Sequence, residues 1–288
     1  MSTQYAAVEA GGTKFRAAIL GADLSIVDQV WVPTTTPDET IGACLDFFAG
    51  QGPVVSLGIA SFGPVVIDRS SPNFGDIAST PKPFWTGAKL LSRFADALGV
   101  PSDIQTDVEA AAVAEYRMGA GQGHSSVGYV TVGTGIGVAL AIDGVPFRGR
   151  NHTELGHIPV RRVEGDTYLG RCPFHTDCLE GMAAGPAIGE RWGVDPSTLD
   201  HRGDVWALEA KYLAQLVRVY ALGFAPDIVL FGGGVGTRPD MADLIALASV
   251  RDLADYGIGG PPIVATAGLG ADAGLIGAGM IAQDLVAT

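Results

Sequence analysis

The sequence predicts an α/β protein of two related lobes, each presenting a glycine turn to a shared ligand site. Three observations carry this. YAAVEAGGTKFRAAIL (5–20) and VGYVTVGTGIGVALAI (127–142) both read as strand, glycine turn, strand, with apolar residues flanking a turn of Gly and Thr. A third apolar strand, DIVLF (227–231), runs into GGGVGTRP. Between the strands lie segments of helical period, and strands alternating with helices argue for an α/β fold. Two like openings, one in each half of the chain, point to duplication. Two coincident Gly-rich hairpins would give the same pattern, so the residues alone leave duplication open.

Composition narrows the function classes. The 288 residues suffice for one large domain or two ordinary ones, and 47% hydrophobic against 17% charged residues excludes a disordered chain. A net charge of −13 repels the phosphates of nucleic acid and of anionic membranes, so neither is an expected partner. MSTQYAAVEAGG lacks the basic and apolar blocks of a secretory signal, and no apolar run reaches spanning length. Three cysteines cannot form a disulfide framework. A cytoplasmic protein is expected.

In chain order, EAGGTK (9–14) leaves a strand with backbone N–H groups of Gly11 and Gly12 able to converge on an anion, the Thr13 hydroxyl beside them and Lys14 as counter-charge. The spacing is not that of a Walker A loop. Helices are predicted over 39–50 and 87–99, with Cys44 a small core residue of the first. The extended DIQTD then meets a helix over 109–120, and Asp107 at that boundary reads first as an N-cap. VGTGIG (132–137) repeats the glycine turn with Gly133, Thr134 and Gly135, and Asp143-Gly144 signals a hairpin. A long helix is predicted over 205–224. FGGGVG (231–236) follows a strand and precedes a helix, so Gly232, Gly233 and Gly234 let a ring or phosphate approach the backbone. Three such turns at strand ends favour nucleotide binding.

RCPFHTDCLEG (171–181) holds two of the three cysteines. With His157 the spacing is H-x14-C-x2-H-x2-C, through Cys172, His175 and Cys178. Four N/S ligands suit tetrahedral Zn²⁺, and a closed set leaves no position for water, which makes the role structural. Buried cysteines beside surface histidines are the competing reading.

EAGGTKF, VTVGTGIG and LFGGGV, in this order, resemble the two phosphate motifs and the adenosine motif of actin-like sugar kinases. Together with SFGPV, FGDIASTPKPFW, TDVEAAAVAE, HTELGH, CPFHTDCLEGMAAGPAI and LGADAGLIGAGMIA, they make the chain similar to the bacterial fructokinase branch of the ROK family, from Glu9 to Ala282. The resemblance implies a two-lobed actin-like, ribonuclease-H-like ATPase fold with a central ligand cleft. It implies a small lobe of residues 1–108 plus 272–288 and a larger lobe of 109–271 carrying the zinc loop and adenosine motif. The implied activity is ATP-dependent phosphorylation of a hexose, foremost the 6-hydroxyl of D-fructose, in a homodimer. Asp107 would be the general base, and Gly63, Thr106, Glu154 and Glu180 would meet the sugar. The three glycine motifs would hold ATP, Glu9 the water shell of Mg²⁺, and His157, Cys172, His175 and Cys178 the zinc.

Two departures matter. Where many ROK kinases have Asn, Thr106 stands, as in the fructokinase branch, while Glu109 replaces the Asn of that branch's usual TDVN and weakens the carry-over of sugar specificity. A carboxylate two residues from Asp107 would either raise its pKa or simply favour the helix N-terminus. The role of His152 stays open. Other readings are a kinase for mannose or glucose, a sugar-binding protein without turnover, and a repressor. The last would need an N-terminal DNA-binding extension, and here the first motif begins at residue 9.

Overall fold

The computed structural model describes residues 3–253 and 260–287; residues 1, 2, 254–259 and 288, which the expected lobes span, lie outside the described residues. The first half of the chain runs β1 (Gln4–Ala10), β2 (Lys14–Gly21), β3 (Ile26–Pro33), α1 (Pro37–Ala49), β4 (Leu57–Ser61), α2 (Leu90–Leu98), β5 (Ser102–Thr106) and α3 (Asp107–Met118). The second half runs β6 (Ser126–Val132), β7 (Ile136–Ile142), β8 (Val145–Pro146), α4 (Leu179–Ala183), α5 (Gly185–Trp192), α6 (Gly203–Gly223), β9 (Ile228–Gly232), α7 (Gly233–Gly236), α8 (Met241–Leu253), β10 (Ile263–Thr266) and α9 (Ala273–Asp284).

Local chemistry accounts for the element ends. Thr36 caps α1, with Glu39 closing a capping box and Pro37 in the first turn, and Gly99 ends α2 in the left-handed region at φ 64°. Asp143 (φ 50°) and Gly144 (φ 76°) supply the two positive angles of the β7–β8 turn. Among the described residues no helix is long and apolar enough to cross a membrane.

Two compact units result, Met1–Ala114 with Arg148–His152 and Asp272–Thr288, and Glu115–Phe147 with Thr153–Ala271. The first contains a five-stranded sheet of order β3-β2-β1-β4-β5; the second contains one of order β10-β9-β6-β7-β8. In each, an antiparallel three-strand meander comes first in the chain, and two parallel strands then add beside its first strand. The two strand orders are therefore the same pattern, as duplication predicts.

The division differs from the expected boundary at 108/109. It falls inside α3, because Ala110 packs against α9: a Cβ on Gly277 would collide with the Ala110 carbonyl. Residues 148–152, expected in the larger lobe, group with the first unit, where Arg148 pairs with Glu109.

Each unit has its own core. The first is built on Val8, Phe15, Ile59, Trp85, Phe94 and Ile104, the second on Val130, Leu179, Leu213, Tyr220 and Phe231. Helix α9 comes from the far end of the chain yet lies on β4 and β1 of the first unit. The approach leaves no room for a methyl group: a Cβ on Gly58 would overlap the Ala278 carbonyl oxygen.

Candidate active site

In the first unit, the predicted residues gather at one sheet edge. Ala10, Ser61 and Thr106 form one row across the parallel strands β1, β4 and β5. The chain leaves that row at Gly11–Gly12, at Phe62–Gly63 and at Asp107. The carboxyl ends of parallel strands are where open α/β sheets bind ligands. The first glycine turn is pinned twice by Thr34, whose N–H donates to the Thr13 carbonyl at 2.9 Å and whose Oγ1 donates to the Gly11 carbonyl at 2.8 Å. Lys14 points its Nζ over the Trp31 ring, 3.8 Å from the centroid.

Asp107 is not the N-cap of α3. Thr106 is: its Oγ1 accepts from the Glu109 N–H at 3.2 Å, while Glu109 Oε2 accepts from the Thr106 N–H at 3.2 Å. This capping box leaves Asp107 as the first helical residue, with Oδ1 accepting from the Val108 N–H at 2.9 Å. Glu9 lies in the electrostatic field of Asp107. Burial pushes the Glu9 carboxyl up to about 7; Arg16 opposes the rise, and Asp107 and Asp272 add to it. Arg16 holds this acidic group together, 3.8 Å from Glu9 Oε2 and 2.6 Å from Asp272 Oδ1.

The PKPFW segment belongs to the same unit. Trp85 is fully buried and donates from Nε1 to the Thr35 carbonyl at 2.8 Å, and Thr34–Thr36 with Lys82, Pro83 and Phe84 line a recess of about 260 Å³.

In the second unit, Thr131 and Gly232 sit opposite each other on β6 and β9, so the turns at Gly133–Gly135 and at Gly233–Gly234 leave the same edge. Gly133, Thr134 and Gly234 line one cavity of about 320 Å³ with Gly185, Pro186, Asp195, Trp206 and Arg238. That volume is at the small end of the range for small-molecule sites. Arg238 stacks on Trp206, 3.6 Å from the ring centroid. The helix after FGGG is a single turn, α7, before α8 begins at Met241.

The four His/Cys ligands also converge. The donor atoms of His157, Cys172, His175 and Cys178 all lie within 4.8 Å of one another. His157 Nδ1 is 3.5 Å from Cys178 Sγ and 3.7 Å from Cys172 Sγ, and Cys172 Sγ is 3.8 Å from His175 Nδ1. A tetrahedral zinc with bonds of about 2.0–2.3 Å spaces its ligands at roughly 3.5 Å, so the donor set fits the ion. Reciprocal backbone bonds between Cys172 and Thr176, at 2.9 and 3.0 Å, fold the loop that makes this possible. Burial pushes the Cys178 thiol up to about 11, and a bound cation would oppose that rise.

Two glutamates lie next to the cluster. Glu154 precedes the 3-10 turn that carries His157, and the His157 N–H donates to the Glu154 carbonyl at 3.0 Å. Glu180 sits two residues past Cys178 on α4. Its Oε1 lies 4.0 Å from His157 Nε2, and its Oε2 accepts from the Ile136 N–H at 3.0 Å. Gly135 makes that approach possible, since a Cβ there would stand 2.6 Å from Glu180 Oε2.

A sequence model of the ROK family matches residues 5–285. The chain belongs to the ROK family. It is 41% identical to a fructokinase of Zymomonas mobilis, over 95% of this chain and 94% of the relative. It is 37% identical to a fructokinase of Pediococcus pentosaceus, over 96% of each. Among solved structures it resembles a ROK hexokinase from Thermus thermophilus (TM-score 0.77, 27% identity, 99% of each chain). It also resembles a ROK family glucokinase from Streptomyces griseus solved with glucose and AMPPNP (TM-score 0.74, 26% identity, 98% of this chain and 99% of that one). The fold is the two-lobed actin-like ATPase fold of these ROK sugar kinases.

Within this ROK chain, sequence reading missed several residues of the two edges. Thr34 and Arg16 brace the first glycine turn and Glu9; Trp206, Arg238 and Asp195 wall the cavity beside the second. Arg148 escaped notice altogether. Only the capping box left a signal, the T-x-x-E of TDVE.

Proposed function

We propose that this chain transfers the γ-phosphoryl group of ATP to the 6-hydroxyl of D-fructose, with Asp107 as general base. The observation that carries the reading is the row Ala10–Ser61–Thr106, from which the first glycine turn, Gly63 and Asp107 all emerge at one sheet edge. Phosphoryl transfer asks for a placed acceptor, a proton acceptor and neutralisation of phosphate charge. Asp107 takes the proton of the sugar hydroxyl as its oxygen bonds to the γ-phosphorus and the bond to the leaving ADP oxygen breaks. Gly63 and Thr106 meet the sugar from the same edge, and Glu154 and Glu180 bind its hydroxyls.

The turns at Gly11–Lys14 and Gly133–Gly135 cradle the phosphates, and Gly232–Gly234 with Trp206 receives the adenosine. Mg²⁺, when bound, neutralises the β- and γ-phosphates; Glu9, with Asp107 and Asp272 close in charge, offers the oxygens its water shell requires. His157, Cys172, His175 and Cys178 hold a structural Zn²⁺ that orients His157 and, through it, Glu180. A cytoplasmic homodimer completes the reading.

Asp107→Asn is expected to reduce turnover at least a thousand-fold while ATP binding stays within about two-fold. Near-normal turnover removes the base assignment. A coupled ADP assay over a panel of hexoses is expected to show at least ten-fold higher kcat/KM for D-fructose than for D-mannose or D-glucose. Metal analysis of the same sample is expected to return one zinc per chain.

A further inference from the structure

We propose that Glu109 and Arg148 form a positioning pair that holds Asp107 in place for the transfer. The inference rests on the reading of Asp107 as the base and deepens it. Glu109 stands where the branch usually carries Asn, and a bare carboxylate two residues from a catalytic aspartate would oppose its ionised form. The structure gives this carboxylate a dedicated partner.

Glu109 is buried, its side chain 3% exposed, and Arg148 meets it as a fork: Nε donates to Oε1 and Nη2 to Oε2, both at 2.9 Å. Two parallel charge-assisted bonds fix orientation as well as charge. Glu109 Oε2 also accepts the Thr106 N–H, and the Glu109 N–H is bound by Thr106 Oγ1. One carboxylate therefore ties the backbone before Asp107 to Arg148, while the Thr106 hydroxyl holds the Glu109 N–H after it. Glu109 and Arg148 act through these residues and need not touch sugar or nucleotide.

Lysine cannot replace this arginine fully, because a point ammonium lacks the fork. The test uses full-length Glu109→Gln, Arg148→Met, Arg148→Lys and the double variant E109Q/R148M. Expected are a ten-fold or greater fall in kcat for E109Q and for R148M, affinity for a non-hydrolysable ATP analogue within two-fold of the parent, and intermediate kcat for R148K. The double variant is expected to be no slower than the slower single, since both remove one interaction.

R148M leaves a buried carboxylate unpaired and is the variant most exposed to misfolding. E109Q retains an amide oxygen for the Thr106 N–H and carries the test in that event. A kcat within two-fold of the parent in E109Q overturns the proposal. So does a fall in kcat matched by an equal fall in analogue affinity, or a double variant whose loss is the product of the singles. D107N separates the two readings: a silent E109Q with an inactive D107N defeats the pair alone, whereas an active D107N defeats the base assignment beneath it.

Discussion

Arg191, with its side chain 6% exposed, is flanked by two carboxylates, Asp166 at 3.3 Å and Glu209 through Nη1. Tyr212 also donates to Asp166 Oδ2 at 2.5 Å, and the Tyr168 N–H donates to Oδ1 at 3.0 Å. Asp166 thus has a donor on each oxygen, while Glu209 Oε2 has no hydrogen-bond partner among the described residues. Burial pushes the Glu209 carboxyl up from 4.5 to about 8, against the pull of Arg191. The folded chain then keeps a proton that the unfolded chain releases first. Its stabilising contribution is whole below pH 4.5 and is lost progressively as pH rises to about 8. Urea unfolding at pH 5 and pH 8 is expected to show a smaller decline in stability for Glu209→Gln than for the parent. An equal decline would place the proton elsewhere.

Two elements carry consequences of their own. The stretch Cys172–Cys178 folds only by turns and isolated bridges, so a bound metal would be linked to its folding. Cys172→Ser, or removal of metal by a chelator, is expected to lower the melting temperature and raise the KM for fructose several-fold. The KM for ATP should change little, because the loop's tie is to Glu180. Equal effects on both substrates would count against that tie. The second element is α9, whose contact with β4 tolerates no side chain at Gly58. Gly58→Ala is expected to destabilise the chain by about 1–3 kcal/mol or more, measured by urea unfolding.

What the sequence displayed at this level follows from period and length. The β1–β2 and β6–β7 hairpins were legible because two apolar runs flank a glycine turn in each. Helices α1, α2, α3 and α6 were legible to within a few residues by their apolar stripes. Strand β4, LGIAS, is buried at every position and so has no alternation to read, and α9 is too rich in glycine to look helical. The metal ligands lay close enough in sequence to be grouped by spacing. Trp206 and Arg238 join Thr134 only through tertiary packing, which no local pattern encodes. Arg148 could not be assigned to Glu109 for the same reason.

At the scale of the molecule, two sheets of the same strand order each put glycine turns at the ends of their parallel strands. The pattern explains why so many of the candidate residues fall just beyond a strand. It also explains why their types differ between the units: the first edge carries acids, Glu9 and Asp107, suited to proton and metal chemistry. The second carries Trp206 and Arg238, suited to a flat ring. The hexose panel belongs at this scale, since sugar choice depends on the whole set of hydroxyl contacts and on no single one of them.

The close seating of α9 on β4 also orders events in time. The strands β1–β5 are translated well before α9, the helix that packs on their sheet, and the second unit is made between them. The intervening unit has its own apolar interior and all its strands before α9 is made. The first sheet gains its contacts with α9 only after that unit has been made.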